Sequence, residues 1–391
     1  MTKLDKLIQE LCPDGIEYRC LKDSVSIMRG TRVVKNQLME TGEYPVFQNC
    51  LTPMGYYNKF NCKENTVFII VAGAAGEIGY SSTDFWAADD CFCLICPPNL
   101  ESRFLYHNLL SQHNFILSKV RRASIPRLAR DVVENLSIPI PPLPVQREIV
   151  RILDNFAELT AELTAELTAR KKQYEFYRDK LLTFDVLGKR TSKVVWRALG
   201  EVCDVVAGGT PSKKDTAYWE HGTIKWLGST VCQNQKNIET VTAYITEKGL
   251  AESSTKLMGK GTTLVALVGA TIGKVAFLPF EAAINQNIAG VYPKNIHELN
   301  PSYVYYACTL LYPKFLALTQ GSKLAMANMS FVRSLKIPVP SLEVQNRIVF
   351  VLDNFNAICT DLSSGLPAEI EARQKQYEYY RDKLLTFTPA D

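Results

Sequence analysis

The chain states one stretch twice. Laid together without a gap, Leu136–Phe156 and Leu335–Phe355 are identical at 13 of 21 positions, and Ala169–Phe184 and Ala372–Phe387 at 14 of 16. The offset is 199 residues in the first block and 203 in the second, so the second copy carries four more residues between its blocks. A chain built by duplication is expected to fold as two related halves.

Each copy opens on a proline run, Pro139, Pro141, Pro142 and Pro144 in the first and Pro338 and Pro340 in the second, which holds the backbone extended. A helix is expected next. Pro144 suits a first helical turn, where a missing N–H costs nothing, and forty proline-free residues follow, a rod of ~60 Å at ~1.5 Å per residue. Val145, Ile149, Ile152, Phe156, Leu159, Leu163 and Leu167, then Tyr174, Tyr177 and Leu181, recur every three or four residues as one stripe. The second copy offers the matching stripe Val344, Ile348, Val351, Phe355, Ile358, Leu362, Tyr377, Tyr380 and Leu384. An antiparallel pairing of the two helices, related by a pseudo-twofold, buries both stripes.

The middle of the first copy is AELT three times over, Ala157–Thr168. Each unit adds ~6 Å of rise and turns the helix about 40° beyond a full turn. The second copy has Ser363, Ser364, Gly365 and Pro367 there, which predict a kink or break.

At 391 residues the chain exceeds one core, and 47% hydrophobic residues suffice for more than one. No apolar run reaches a membrane span and the charged start MTKLDKLIQELCPDG has no signal-peptide core, which reads as cytoplasmic. Eleven cysteines without regular spacing indicate reduced thiols. Cys91, Cys93 and Cys96, with Cys62, form the one cluster; alternation in a strand turns the first two one way and the third the other, and no metal site is expected. A net charge of +4 does not by itself announce a nucleic-acid binder, so local clusters must carry that case.

Before each helical copy lies a segment of similar plan. Tyr18-Arg-Cys-Leu21 in one corresponds to Trp196-Arg-Ala-Leu199 in the other, and nine residues past each Leu stands a glycine, Gly30 or Gly208, heading a basic polar loop. Later come apolar runs broken by glycine, VFIIVAGAAGEIGY and TLVALVGATIGKVAF, in which Ile78-Gly79 matches Ile272-Gly273. A helical stretch and a basic or polar loop follow: Lys119, Arg121, Arg122, Arg127 and Arg130 in the first half, Ser322, Lys323 and Asn328 in the second. The expected class is α+β, with two globular domains, 1–143 and 185–342, separated by two long antiparallel helices, 144–184 and 343–391.

Catalytic motifs are missing. Gly73-Ala-Ala-Gly76-Glu-Ile-Gly79 lacks dinucleotide spacing, and Gly269-Ala-Thr-Ile-Gly273-Lys274 is one residue short of a phosphate loop, with Val275 where Ser or Thr would bind magnesium. No nucleophile elbow, HExxH or acidic nuclease core is visible, and Pro97-Pro98-Asn99 reverses the order of an adenine-methyltransferase motif. What remains are cations that neutralise phosphates and amide or hydroxyl side chains that read base edges. The DNA-binding candidates are Arg29, Thr31, Arg32, Lys35, Arg121 and Arg122 in the first half and Thr210, Ser212, Lys213, Lys214, Gln233, Asn234, Lys323 and Asn328 in the second.

The repeated IPxPxLxxQxxIVxxLDNF and QYExYRDKLLTF blocks, the Gly-Gly-Thr-Pro-Ser loop at 208–212 and the tetrapeptide repeat together resemble the specificity subunit, HsdS, of type I restriction-modification enzymes, over the whole chain. That resemblance implies two target-recognition domains, each reading half of a split site in double-stranded DNA. It implies that the helices set the gap and dock two methyltransferase subunits through faces carrying Phe156, Leu159, Leu163, Leu167, Tyr174, Tyr177, Phe355, Tyr377 and Tyr380. Catalysis, with S-adenosylmethionine, ATP and magnesium, would then belong to those subunits and to restriction-translocase subunits, this chain binding no cofactor. The competing readings are a coiled-coil scaffold or adaptor that never touches DNA, and an enzyme whose site hides in a divergent domain.

Overall fold

The computed structural model describes residues 2–184, 194–236, 238, 240–319, 326–361 and 364–390. Ser322, Lys323, Leu362 and Ser363 lie outside the described residues. Two compact units divide the chain, Met1–Ala165 with Pro367–Asp391 and Glu166–Leu366. The units therefore do not follow the linear order of domain, helix, domain, helix. Each takes one globular domain, the start of the helix that follows it, and the end of the other copy's helix.

In the first unit the strands Ser26–Arg29, Cys91–Ile95, Thr66–Ile70 and Ile78–Ser81 make an antiparallel sheet in that order. Thr66–Ile70 is buried along its whole length because alternate residues serve two cores. Val67 and Ile69 join Phe104, Leu105 and Leu109 of α1 (Ser102–Ser111), while Phe68 and Ile70 join Phe85, Cys62 and Cys93 on the opposite face. A second sheet, Tyr56–Tyr57, Tyr44–Phe47 and Trp86–Ala87, adds a parallel pair between the last two.

The second unit repeats the plan. Cys203–Ala207, Ile288–Pro293, Thr263–Ala266 and Val275–Phe277 form the first sheet, and Ala243–Ile245, Ile224–Leu227, Ala282–Ile284 and Lys256–Met258 the second, again with one parallel pair. A helix equivalent to α1, here α3 (Pro301–Thr309), is capped by Asn300. One expectation is corrected. Ile70 pairs through Gly76 and Glu77 as Ala266 does through Gly273 and Lys274, so Gly76, not Gly79, is the counterpart of Gly273. Both turn glycines have positive φ, 95° and 74°.

The proline runs begin in short strands. Ser137–Pro139 pairs with Tyr18–Cys20 and Lys336–Val339 with Val195–Ala198, and the N–H groups of Leu21 and Leu199 donate to Leu136 and Leu335, each at 2.8 Å.

α2 (Leu143–Thr183) is a single 41-residue helix, and the division between units falls within its AELT repeat. Thr160 and Thr164 satisfy their hydroxyls on the carbonyls of Phe156 and Thr160, both at 2.8 Å. The second copy breaks as expected: α4 (Leu342–Thr360) ends before Gly365 and α5 (Leu366–Leu384) begins after it.

The single stripe is replaced by two faces. Val145, Ile149 and Leu153 are buried in the first domain's core, and Ile348 and Leu352 in the second's. The neighbouring face carries Phe156, whose ring lies 5.4 Å from that of Tyr380 of α5, and in the second unit Phe355 lies 6.1 Å from Tyr177. Leu182 and Phe184 at the end of α2 complete the second unit's core, and Leu385 completes the first's.

Candidate nucleic-acid interface

Gly30 and Gly208 stand where the two sheets of each unit meet. A Cβ on Gly30 would lie 2.1 Å from the Ala88 carbonyl oxygen, and on Gly208 2.0 Å from that of Ile284; only glycine passes so close. The next residues lock the exit: Thr31 N–H donates to Ala87 and Gly209 N–H to Ile284, each at 2.9 Å. The loops that follow are thus launched from the same point in both units.

In the first unit Arg29, Thr31, Arg32 and Lys35 are exposed along this loop. The Arg29 guanidinium donates to the Asp89 carbonyl at 2.9 Å, and Lys35 opens a short 3-10 turn, Lys35–Gln37. In the second unit Thr210 is tied by its hydroxyl to the Gln286 side chain, and the Ser212 carbonyl accepts the Trp219 indole N–H at 3.0 Å. Lys213 and Lys214 are exposed.

Arg121 and Arg122 sit on a tight hairpin closed by two backbone bonds between Arg121 and Arg127, at 2.8 and 3.1 Å. That hairpin is pinned to the end of the central strand: Leu128 N–H donates to Val71 and Gly73 N–H to Pro126. Val71 N–H in turn donates to Asp90, beside the Asp89 that holds Arg29. Both basic loops of the first unit therefore gather at one end of one sheet. The second unit has the same frame, with Ala327 N–H on Leu267, Leu267 N–H on Asn287, and Gln286 holding Thr210.

Three candidates have work inside the fold. Asn328 is a helix cap, its side-chain oxygen accepting from Phe331 N–H at 2.8 Å. Asn234 is a left-handed turn residue, φ 62°, whose side-chain oxygen accepts from Val275 N–H at 3.0 Å. Gln233 is spanned between the Thr230 carbonyl and the Lys274 ammonium, at 3.0 and 3.1 Å. These bonds give the side-chain oxygens of Asn328 and Asn234 structural roles within the fold. Lys274, which motif spacing marks only as the end of a failed phosphate loop, is an added cation at this end of the sheet.

Behind the loops, matched polar joints hold α2 and α4 to the domains. Gln146 is fully buried; its side-chain oxygen accepts from Glu101 N–H at 2.7 Å and its amide donates to Asn99 and Pro141 at 3.0 and 2.6 Å. Gln345 repeats the set with Asn300, Glu298 and Pro340 at 2.8, 2.9 and 2.9 Å. Asp154 accepts from Arg103 at 2.9 Å and meets His107 at 2.8 Å, and the other His107 nitrogen meets the Tyr377 hydroxyl at 3.0 Å. Burial lowers the His107 pKa, outweighing the pull of Asp154, which raises it. At the equivalent place Asp353 takes the Tyr306 hydroxyl and the Lys236 ammonium.

On the helices, Leu163, Leu167 and Tyr174 are half-buried while Leu159 and Tyr177 are exposed. Phe176 and its counterpart Tyr379 are 52% and 61% exposed, each beneath a lysine four residues on. Both lie off the axis of the stripe, so helical periodicity does not single them out. Cys91 and Cys93 share one core face with Cys62, as alternation requires.

The architecture defines a duplicated α+β chain presenting a loop set on each of two similar domains braced by helices. The type I restriction modification DNA specificity domain matches residues 13–170 and again 191–372. The specificity subunit of the type I restriction enzyme EcoR124I/EcoR124II of Escherichia coli is 40% identical over 265 residues, 65% of this chain and 63% of that one. A putative type I restriction enzyme specificity subunit of Haemophilus influenzae is 31% identical over 99% of each chain. In fold, the chain resembles the type I restriction-modification S subunit from M. genitalium, with a TM-score of 0.62, 20% identity and coverage of 95% and 96%. A chain from a study of type I R-M complex assembly and conformational transition gives 0.64 at 18% identity, covering 95% and 98%. The chain belongs to the DNA specificity subunits of type I restriction-modification systems.

Proposed function

We propose that each unit reads one half of a bipartite DNA site, through the loop set at the end of its first sheet, and that the helices set the unread gap. The observation that carries this is the matched launch point at Gly30 and Gly208: one frame holds two different loop sequences, as two different half-sites require. Arg29, Arg32, Lys35, Arg121, Arg122, Lys213 and Lys214 supply phosphate contacts, and Thr31, Thr210, Ser212 and Gln233 supply polar contacts. In this reading Lys323 is a further phosphate-contact candidate of the second half.

The helices dock two methyltransferase subunits, and restriction-translocase subunits join that complex. Phe156, Leu159, Leu163, Leu167, Tyr174, Tyr177, Phe355, Tyr377 and Tyr380 form or back the docking faces. This chain performs no catalysis in the cytoplasmic complex; S-adenosylmethionine, ATP and magnesium serve the partner subunits. Among the described residues no helix is long and apolar enough to cross a membrane.

The test is co-expression with a type I methyltransferase subunit and mapping of N6-methyladenine across the host genome. A two-part motif with a fixed gap is expected. A stable complex that adds no methylation overturns the reading.

A further inference from the structure

The first domain contains a buried sulfur pair that DNA reading does not use. Cys62 Sγ and Cys93 Sγ are 2.8 Å apart, and both residues are buried, at 4% and 0% exposure. Cys93 lies on the central sheet; Cys62 is bridged to Phe85, next to the strand Trp86–Ala87 of the other sheet. Phe47, Phe68 and Phe85 surround them. The thiols share a hydrogen bond, and their separation exceeds the ~2.05 Å of a disulfide by under ~1 Å. The second domain shows that the fold does not demand this pair. There Gly290 takes the place of Cys93 and Met258 that of Cys62, with the Met258 sulfur 2.6 Å from where a Cβ on Gly290 would stand.

We propose that Cys62 and Cys93 are a reversible disulfide site, closed by a peroxide and tying together the two sheets of the first domain. Cys62, less deeply buried, attacks first. Its thiolate displaces hydroxide from the peroxide and becomes a sulfenic acid; the Cys93 sulfur then attacks the Cys62 sulfur, and the hydroxide released leaves as water with the Cys93 proton. Two thiols and one hydrogen peroxide give one disulfide and two waters. Cys93, through the hydrogen bond it shares, favours the thiolate at Cys62. Cys91, on the same strand, bonds instead to the carbonyls of Phe47 and Gln48, and burial pushes its thiol up to about 12.

The test treats the full chain under native conditions with hydrogen peroxide, then denatures it, alkylates it without reductant and locates the label by mass spectrometry. Cys62 and Cys93 are expected to lose the label together and to be recovered as a cross-linked peptide pair, while Cys91 stays labelled. Dithiothreitol should restore both labels. Full labelling of Cys62 and Cys93 after treatment, a bond from Cys62 to Cys91, or conversion of Cys62 to a sulfinic acid overturns the proposal. In Cys93→Ser, Cys62 should accumulate as a sulfenic acid trapped by dimedone; the wild-type measurement decides the matter if that variant does not fold.

Discussion

The side-chain oxygen of Gln146 accepts the Glu101 N–H at 2.7 Å, joining the start of α2 to the start of α1. Gln345 does the same for Asn300 at 2.8 Å. Replacing Gln146 with Leu keeps the volume but leaves that N–H and the carbonyls of Asn99 and Pro141 unsatisfied. The expected loss is on the order of 2–4 kcal/mol, read as a lower urea midpoint. An unchanged midpoint would show that water replaces the amide.

His107 gives the first unit a pH dependence. Its pKa lies below 6.5 in the fold because burial disfavours the imidazolium, so the unfolded chain takes up the proton first. The contribution is whole above 6.5 and is lost as pH falls from there through the lower folded value. His107→Tyr installs the residue type found at the equivalent Tyr306 and should flatten the decline in urea midpoint between pH 7 and pH 5. An equally steep decline in the variant would remove His107 as its source.

Deleting Ala161–Thr164 removes one AELT unit, ~6 Å of helix. With base pairs ~3.4 Å apart along the duplex, the unread gap in the methylation motif should shorten by one to two base pairs with both half-sites unchanged. An unaltered gap would refute the ruler.

Converting Lys213 and Lys214 to Ala should reduce the slope of log affinity against log salt by ~0.9 for each phosphate that is no longer neutralised. Fluorescence anisotropy of the assembled complex on its methylation site, at several salt concentrations, measures this. A slope equal to wild type would place both lysines away from the backbone.

Several features can be read directly from residues. The repeated blocks announce two related halves, Gly365 and Pro367 the break between α4 and α5, and Gly30 and Gly208 the matched loop origins. Local chemistry suffices there, because proline and glycine restrict or free the backbone wherever they stand. Asn234 and Asn328 escape such a reading for the complementary reason. An amide looks the same whether it faces solvent or caps a helix, and only the neighbouring N–H groups of Val275 and Phe331 decide.

The duplication, the α+β class, the long helices and the family are all legible in the residues alone. Tertiary structure alone decided which pieces close which unit. QYExYRDKLLTF occurs in both copies and suits either domain's core, so pattern cannot tell a helix folding back on its own domain from one that completes the other. The structure sends Leu182 and Phe184 to the second core and Leu385 to the first. It also splits one apparent stripe into two faces, with Leu153 and Leu352 turned into the domains and Phe156 and Phe355 toward helices. A 3.6-residue period identifies buried positions along a helix; it carries no information about which of two neighbours buries them.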